Sequence, residues 1–277
     1  MRSFIRAVRP FLCAVSLCAL AGTVSAVEDR PVEGVATTAA TAPPVEQPFL
    51  YLVDPHGPAP RQVMAGYALA FSSSAGAIRP IPGNFDSEGV VHTLSLEVGV
   101  IQQLRVFAQT MIAESIGSAT DVNAVALQLG GRVLLTPARW QRFRLMATGA
   151  FLREFGASLG LYGELTATAD VGRVRFAASV HAEHIFAGSR DPVDLYAVAG
   201  VSVRVARILR LGAEYIAQDL EALAEDDDDA EGGARHYVGP DIALSLYKNR
   251  LLVTAGGAVQ LAHSPGVLAR GAVTYVY

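Results

Sequence analysis

Cysteine is nearly absent from this chain. Its 277 residues include two, Cys13 and Cys18, and both lie in a short apolar run near the start. The rest of the chain can therefore form no disulfide, thiolate metal site or cysteine nucleophile. Long apolar runs are missing as well. Although 51% of the residues are hydrophobic, no stretch after position 26 reaches the ~20 uninterrupted apolar residues that a membrane-spanning helix needs. Basic charge is in short supply. With Arg2, Arg6 and Arg9 set aside as part of a leader, 19 basic side chains stand against 26 acidic ones, a formal charge of −7. No nucleic-acid partner is expected of such a balance, because that role asks for a basic surface.

The leader itself is legible. Arg2, Arg6 and Arg9 precede the apolar run from Phe11 to Gly22, and Val24-Ser25-Ala26 comes next as a small-x-small cleavage site. This pattern reads as a secretory signal peptide over 1–26, cut after Ala26. Neither cysteine is preceded by the small residue that a lipoprotein cleavage site would need. From Val27 to Arg61 the chain carries prolines at 31, 43, 44, 48, 55, 58 and 60 and an Ala/Thr tract. Prolines at that density forbid a continuous helix or strand, and the tract has nothing large to bury. A disordered tail is expected over 27–61, with Phe49-Leu50-Tyr51-Leu52-Val53 packing at the rim or mouth of the domain beyond it, the alternative being a functional plug or a partner motif.

From residue 62 onward the chain alternates. The last eleven residues place Tyr277, Tyr275, Val273, Gly271 and Ala269 on one face of a strand and Val276, Thr274, Ala272, Arg270 and Leu268 on the other, since successive side chains of a strand point to opposite sides. The first face carries no charge. The same period of two recurs upstream, for instance in Tyr67, Leu69 and Phe71, in Leu94, Leu96 and Val98, and in Leu209, Leu211, Ala213 and Tyr215. Twelve such strands can be counted. Every second connection is short (Ile101-Gln102-Gln103, Ala206-Arg207 and Tyr247-Lys248-Asn249-Arg250 among them), whereas the two longest, Ser73 to Gly89 and Asp219 to Arg235, fall among the others.

The terminal Tyr277, with Tyr275 two places before it, resembles the C-terminal assembly signature of bacterial outer-membrane β-barrel proteins. In that family the last strand closes against the first, so no edge is left unpaired in lipid. The resemblance implies an all-β fold over 62–277, a single twelve-stranded antiparallel transmembrane up-and-down barrel with short periplasmic turns and longer external loops. It also implies residence in the cell outer membrane, contact with outer-membrane lipid and lipopolysaccharide, and insertion by the barrel-assembly machinery. The residues after the leader become a periplasmic tail. There is a looser likeness to transporter-like barrels of Gram-negative bacteria, with no motif from which residue roles can be carried over.

Candidate chemistry then lies in the lumen. By alternation Arg105, Arg132, Arg144, Arg175, Arg204 and Arg210 point inward beside the short turns, while Glu97, Glu164, Glu183, Asp194, Glu214 and Asp241 point inward elsewhere. Many other inward positions are small, among them Gly66, Ala68, Ala126, Ala177, Gly200, Ala243 and Gly256, and are expected to leave volume unfilled. Together these suggest a passive channel or transporter for small polar or anionic solutes, with a basic periplasmic constriction. The alternative is a structural or surface-interaction barrel whose lumen is plugged by salt-bridged side chains.

Enzymatic and metal readings are weaker. His181-Ala182-Glu183-His184 has metal-like spacing, but a strand puts His181 and Glu183 inside and His184 outside. A Ser-His hydrolase would need both groups together with an orienting third. Ser158 points away from His184, and Asn84, Asn123 and Asn249, the asparagines of the chain, are out of its reach. The acidic run Glu225 to Glu231 lacks the glycine turn and terminal glutamate of an EF-hand loop and reads as a solvated loop. No cofactor, metal or catalytic residue is expected.

Overall fold

The computed structural model describes residues 48–53, 55–73, 89–115, 123–137, 140, 142–155, 159–186, 193–218, 220, 235–261 and 266–277. The signal peptide and its cleavage site, the tail as far as 47, Ser158 and the acidic run lie outside the described residues.

Twelve strands succeed one another in chain order. They are β1 (Val63–Ser72), β2 (Gly89–Gly99), β3 (Leu104–Ser115), β4 (Asn123–Leu134), β5 (Phe143–Phe155), β6 (Leu159–Val171), β7 (Val174–Ile185), β8 (Asp194–Ala206), β9 (Leu209–Gln218), β10 (Arg235–Leu246), β11 (Leu251–Gln260) and β12 (Val267–Val276). Each pairs antiparallel with its sequence neighbours, and β12 returns to β1 with Met64 opposite Val276 and Ser72 opposite Leu268. The sheet is thus a closed up-and-down barrel. Closure satisfies every strand's backbone ladder, which is the condition for placing a sheet in hydrocarbon. Strands of 10 to 13 residues have the length needed to cross a bilayer at a tilt.

The alternation expected from sequence sets which face is which. Along β5, exposed and half-buried residues alternate with buried ones throughout, from Phe143 to Phe155. The outward set is apolar: Phe151 is 71% exposed, Leu94 54% and Leu129 49%. An exposed apolar belt of this extent would be an aggregation hazard in water and is the normal exterior of a barrel in lipid. Aromatic residues flank the belt, with Trp140, Tyr247 and Tyr277 exposed at the end of the short turns and Phe155 and Phe186 exposed at the other. Tyr275 and Tyr277 stack edge to face with ring centroids 4.6 Å apart. On the outer face Tyr67 and Tyr215 place their hydroxyls 2.8 and 2.6 Å from Nδ1 of His92 and His236. Each phenol's polar tip is thereby satisfied on a surface that is otherwise apolar.

The lumen is not empty. Phe49, Leu50 and Leu52 are 0%, 5% and 1% exposed, and Phe49 and Leu52 pack with inward residues such as Phe107, Met111, Tyr162, Tyr196, Ile216 and Tyr237. The stretch from Pro48 to Pro60 enters the barrel, turns within it and leaves where Pro60 bridges Gly99 and the amide of Arg61 donates to the Gly99 carbonyl at 2.7 Å. The expectation that 49–53 packs at the rim or mouth is therefore corrected. The segment is a plug at mid-depth, and residues 48–53 and 55–59 of the tail expected to be disordered are buried or half-buried. Proline excludes regular structure but not burial, and here the barrel wall supplies the partners.

Candidate functional site

The lumen wall receives the plug at its small residues. An ideal Cβ at Gly200 would stand 2.7 Å from Cε1 of Phe49, and one at Gly256 would stand 2.6 Å from Cδ1 of Leu50. Such approaches leave no room for a side chain. Two inward glycines that sequence alone suggests as unfilled volume, Gly200 and Gly256, are thus sockets for plug side chains, whereas Gly66 meets the wall residues Ser95 and Thr274. Glu214 on β9 fixes the segment's backbone. Its carboxylate accepts from the amides of Leu50 at 3.0 Å, Tyr51 at 3.0 Å and Leu52 at 3.3 Å. A buried charge is tolerated only when its lone pairs are taken up, and three converging amides do that here.

The six arginines do not form one set. Arg105, Arg132, Arg144, Arg175 and Arg210 are all buried, inside the barrel where alternation puts them. Arg204 stands opposite the buried Arg210 in the register of β8 and β9, on the expected face, but it lies at the open mouth, where residues 203–206 are all exposed and the register shifts only beyond it. Glu97 is shared. Its Oε1 accepts from Nη1 of Arg105 at 3.1 Å, and its Oε2 pairs with Nη1 of Arg132. Arg105 also donates to the carbonyl of Pro55 at 2.9 Å, so the pair holds the plug from below. Arg132 lies 4.1 Å from the centre of the Phe107 ring. Arg175 forms a two-pronged pair with Asp170, at 2.7 and 2.8 Å, and Arg210 donates to Ser202 at 3.0 Å.

Among the carboxylates, Glu97, Glu164, Glu183, Asp194, Glu214 and Asp241 are all buried. Glu164 accepts from Thr166 at 2.7 Å and from the Tyr162 hydroxyl at 3.3 Å. Tyr162 in turn is 2.7 Å from Nδ1 of His181, whose Nε2 is 2.5 Å from Ser179. The ring of His181 stacks on Tyr196 at 4.1 Å. His184 faces outward against Phe186, so the His-Ala-Glu-His stretch is split between two faces. Tyr51 and Arg270 are parts of the lumen that the site reading from sequence did not single out. Arg270 was legible as an inward cation on the last strand; Tyr51 was not, since nothing local reveals that its segment enters the barrel.

Three spaces border the plug, one of them, of about 110 Å³, lying between Phe49, Leu50, Val53 and Gly57 and a wall that includes Glu97 and Arg105. At the short-turn end, a cavity of about 600 Å³ is lined by Pro48, Arg204, Arg207, Arg210, Lys248 and neighbouring apolar residues, with no carboxylate among the described residues lining it. Near the tip of the plug, a cavity of about 80 Å³ is bounded by Tyr51, Gln109, Gln128, Arg132, His181 and Arg270 among others.

No family model matches this chain, and no curated protein matches it by sequence. Solved structures do resemble it. An outer-membrane channel from Pseudomonas putida F1 superposes with a TM-score of 0.55 at 14% identity, covering 82% of this chain and 100% of that one. The KdgM porin in complex with disordered oligogalacturonate gives a TM-score of 0.50 at 7% identity over 76% of this chain and 98% of that one. NanC porin gives 0.51 at 7% identity over the same shares. Identities this low speak to fold alone. The chain is a closed twelve-stranded barrel whose fold is similar to that of outer-membrane channels.

Proposed function

We propose that this protein is an outer-membrane channel for small polar solutes with a preference for anions. On this reading it is exported by the peptide 1–26, inserted by the barrel-assembly machinery and seated in outer-membrane lipid and lipopolysaccharide. The observation that carries the proposal is the basic vestibule. Arg204, Arg207, Arg210 and Lys248 line a cavity of about 600 Å³ with no acidic neighbour among the described residues of its lining, and fixed positive charge in a confined space raises the local anion concentration. The likeness of fold to porins and channels agrees with it. Passage beyond the vestibule requires displacement of the Pro48–Pro60 segment, so the described state is a closed one.

The filled lumen favours a second reading, a structural or surface-interaction barrel that stays plugged. Planar-bilayer recordings of the refolded mature chain and of a variant lacking 48–57 separate the two. A channel is expected to give rare steps in the parent and frequent, anion-favouring steps in the deletion variant. Absence of single-channel steps from both, with both barrels folded, would leave the plugged structural barrel.

A further inference from the structure

The small cavity at the tip of the plug collects hydrogen-bond donors that have no acceptor. Tyr51, Gln128, Arg132 and Arg270 all line this space of about 80 Å³. In each, one buried donor (the Tyr51 hydroxyl, Gln128 Nε2, Arg132 Nε and Arg270 Nε) lacks a partner among the described residues. Gln128 is 3% exposed. An unpartnered buried donor costs free energy comparable to a lost hydrogen bond, so four bordering one space point to a missing acceptor.

Two arginines on its wall favour an anionic acceptor over water there. The nearest carboxylates are already engaged. Glu97 is divided between Arg105 and Arg132, which leaves those three groups with one positive charge in excess. Glu214 is taken up by three plug amides, and Glu164, next to the lining residue Tyr162, by the hydroxyls of Thr166 and Tyr162. Arg270 stands over the Tyr51 ring, 5.4 Å from its centre, and no carboxylate is among the described residues lining the cavity. The space would hold two or three waters at roughly 30 Å³ each, or one carboxylate group of similar bulk. Apolar Val53, Phe107, Val198 and Ile216 close its other sides, leaving room for a short aliphatic end.

We propose that this cavity is a binding site for one small organic carboxylate, completed by Tyr51 from the plug, so that solute and plug share a surface. The proposal deepens the anion preference proposed above and rests on that reading only for how the solute arrives. Because Tyr51 belongs to the segment that must move for passage, a bound carboxylate bridges Tyr51 to the wall and holds the plug in place.

The test is calorimetric titration of the folded mature barrel in detergent with acetate, with inorganic phosphate and with chloride, at matched ionic strength. Saturable one-site heat is expected from acetate and none from chloride. Tyr51→Phe and Gln128→Leu should each weaken acetate about tenfold, the effect of losing one hydrogen bond to a charged group, while heat-modifiable gel migration reports that the barrel is intact. If one variant does not fold, the other and the parent titration decide. The site is overturned by absence of saturable acetate heat in the folded parent, by equal binding of chloride, by phosphate binding in preference to acetate, or by unchanged affinity in the folded variants. Failure here and failure of the channel are distinguishable. Acetate binding without conductance removes the channel and keeps the site; conductance without acetate binding does the reverse.

Discussion

At the scale of single residues, one carboxylate holds much of the lumen together. Glu97 sits between Arg105 and Arg132, and removing one partner of a buried ion pair costs about 3–5 kcal/mol where the other charge is left unpaired, less where, as here, Arg105 remains. Neutralising Arg132, Arg144 and Arg175 together therefore acts in two ways. It strips Glu97 of one of its two cations and Asp170 of its two-pronged partner, so the melting temperature is expected to fall. It also removes fixed positive charge from the lumen, so in a channel the reversal potential in a salt gradient should move toward cations, and less so near 1 M salt where screening shortens to about 3 Å. An unchanged reversal potential with a large loss of stability would assign these arginines to structure alone. Alternation made five of the six arginines legible as buried, since a side chain two positions along a strand returns to the same face. Arg204 shares that face, opposite Arg210, and is exposed because it lies at the open mouth, a matter of depth in the barrel that alternation does not report.

At the scale of elements, the seam and the plug behave differently. The seam joins β1 to β12 through a continuous register from Met64–Val276 to Ser72–Leu268, and the terminal aromatic is exposed just beyond it, Tyr277 being 67% exposed. Tyr237 on β10 is fully buried among lumen residues. Replacing Tyr277 by Ala should lower the yield of folded barrel in cells without much change in the melting of what folds. Replacing Tyr237 by Ala should leave assembly closer to normal and lower the melting temperature, since emptying a large aromatic site costs about 3–5 kcal/mol. Equal folded yields from the two variants would count against an assembly role for Tyr277. For the plug, Glu214→Leu removes the acceptor for three amides, and hydrogen bonds to a charged group contribute about 1.5–3 kcal/mol each. A cysteine placed at Phe49, in a mature chain that has no other thiol, should react with a water-soluble maleimide at least tenfold faster in the Glu214→Leu background. Unaltered labelling would mean that the wall sockets, rather than Glu214, retain the segment.

At the scale of the whole molecule, an apolar exterior and a polar, charged interior invert the arrangement of a water-soluble domain. The protein should accordingly fractionate with the outer membrane and migrate faster on a gel when left unheated. Recovery of the mature chain as a soluble periplasmic monomer would remove the membrane reading. The barrel's strand number, its facing and the end at which the short turns lie were set by the sequence by itself, because these are local matters. A period of two, a turn residue and a terminal aromatic act over a few positions and leave their mark in the order of the residues. The state of the lumen was not set in that way. Phe49 and Leu50 find Gly200 and Gly256, and the Leu50 amide finds a carboxylate 164 residues away, only once twelve strands have curved into a closed wall. Whether a small residue lines open water or receives a side chain depends on what the closed barrel brings opposite it, and that is decided by the tertiary structure.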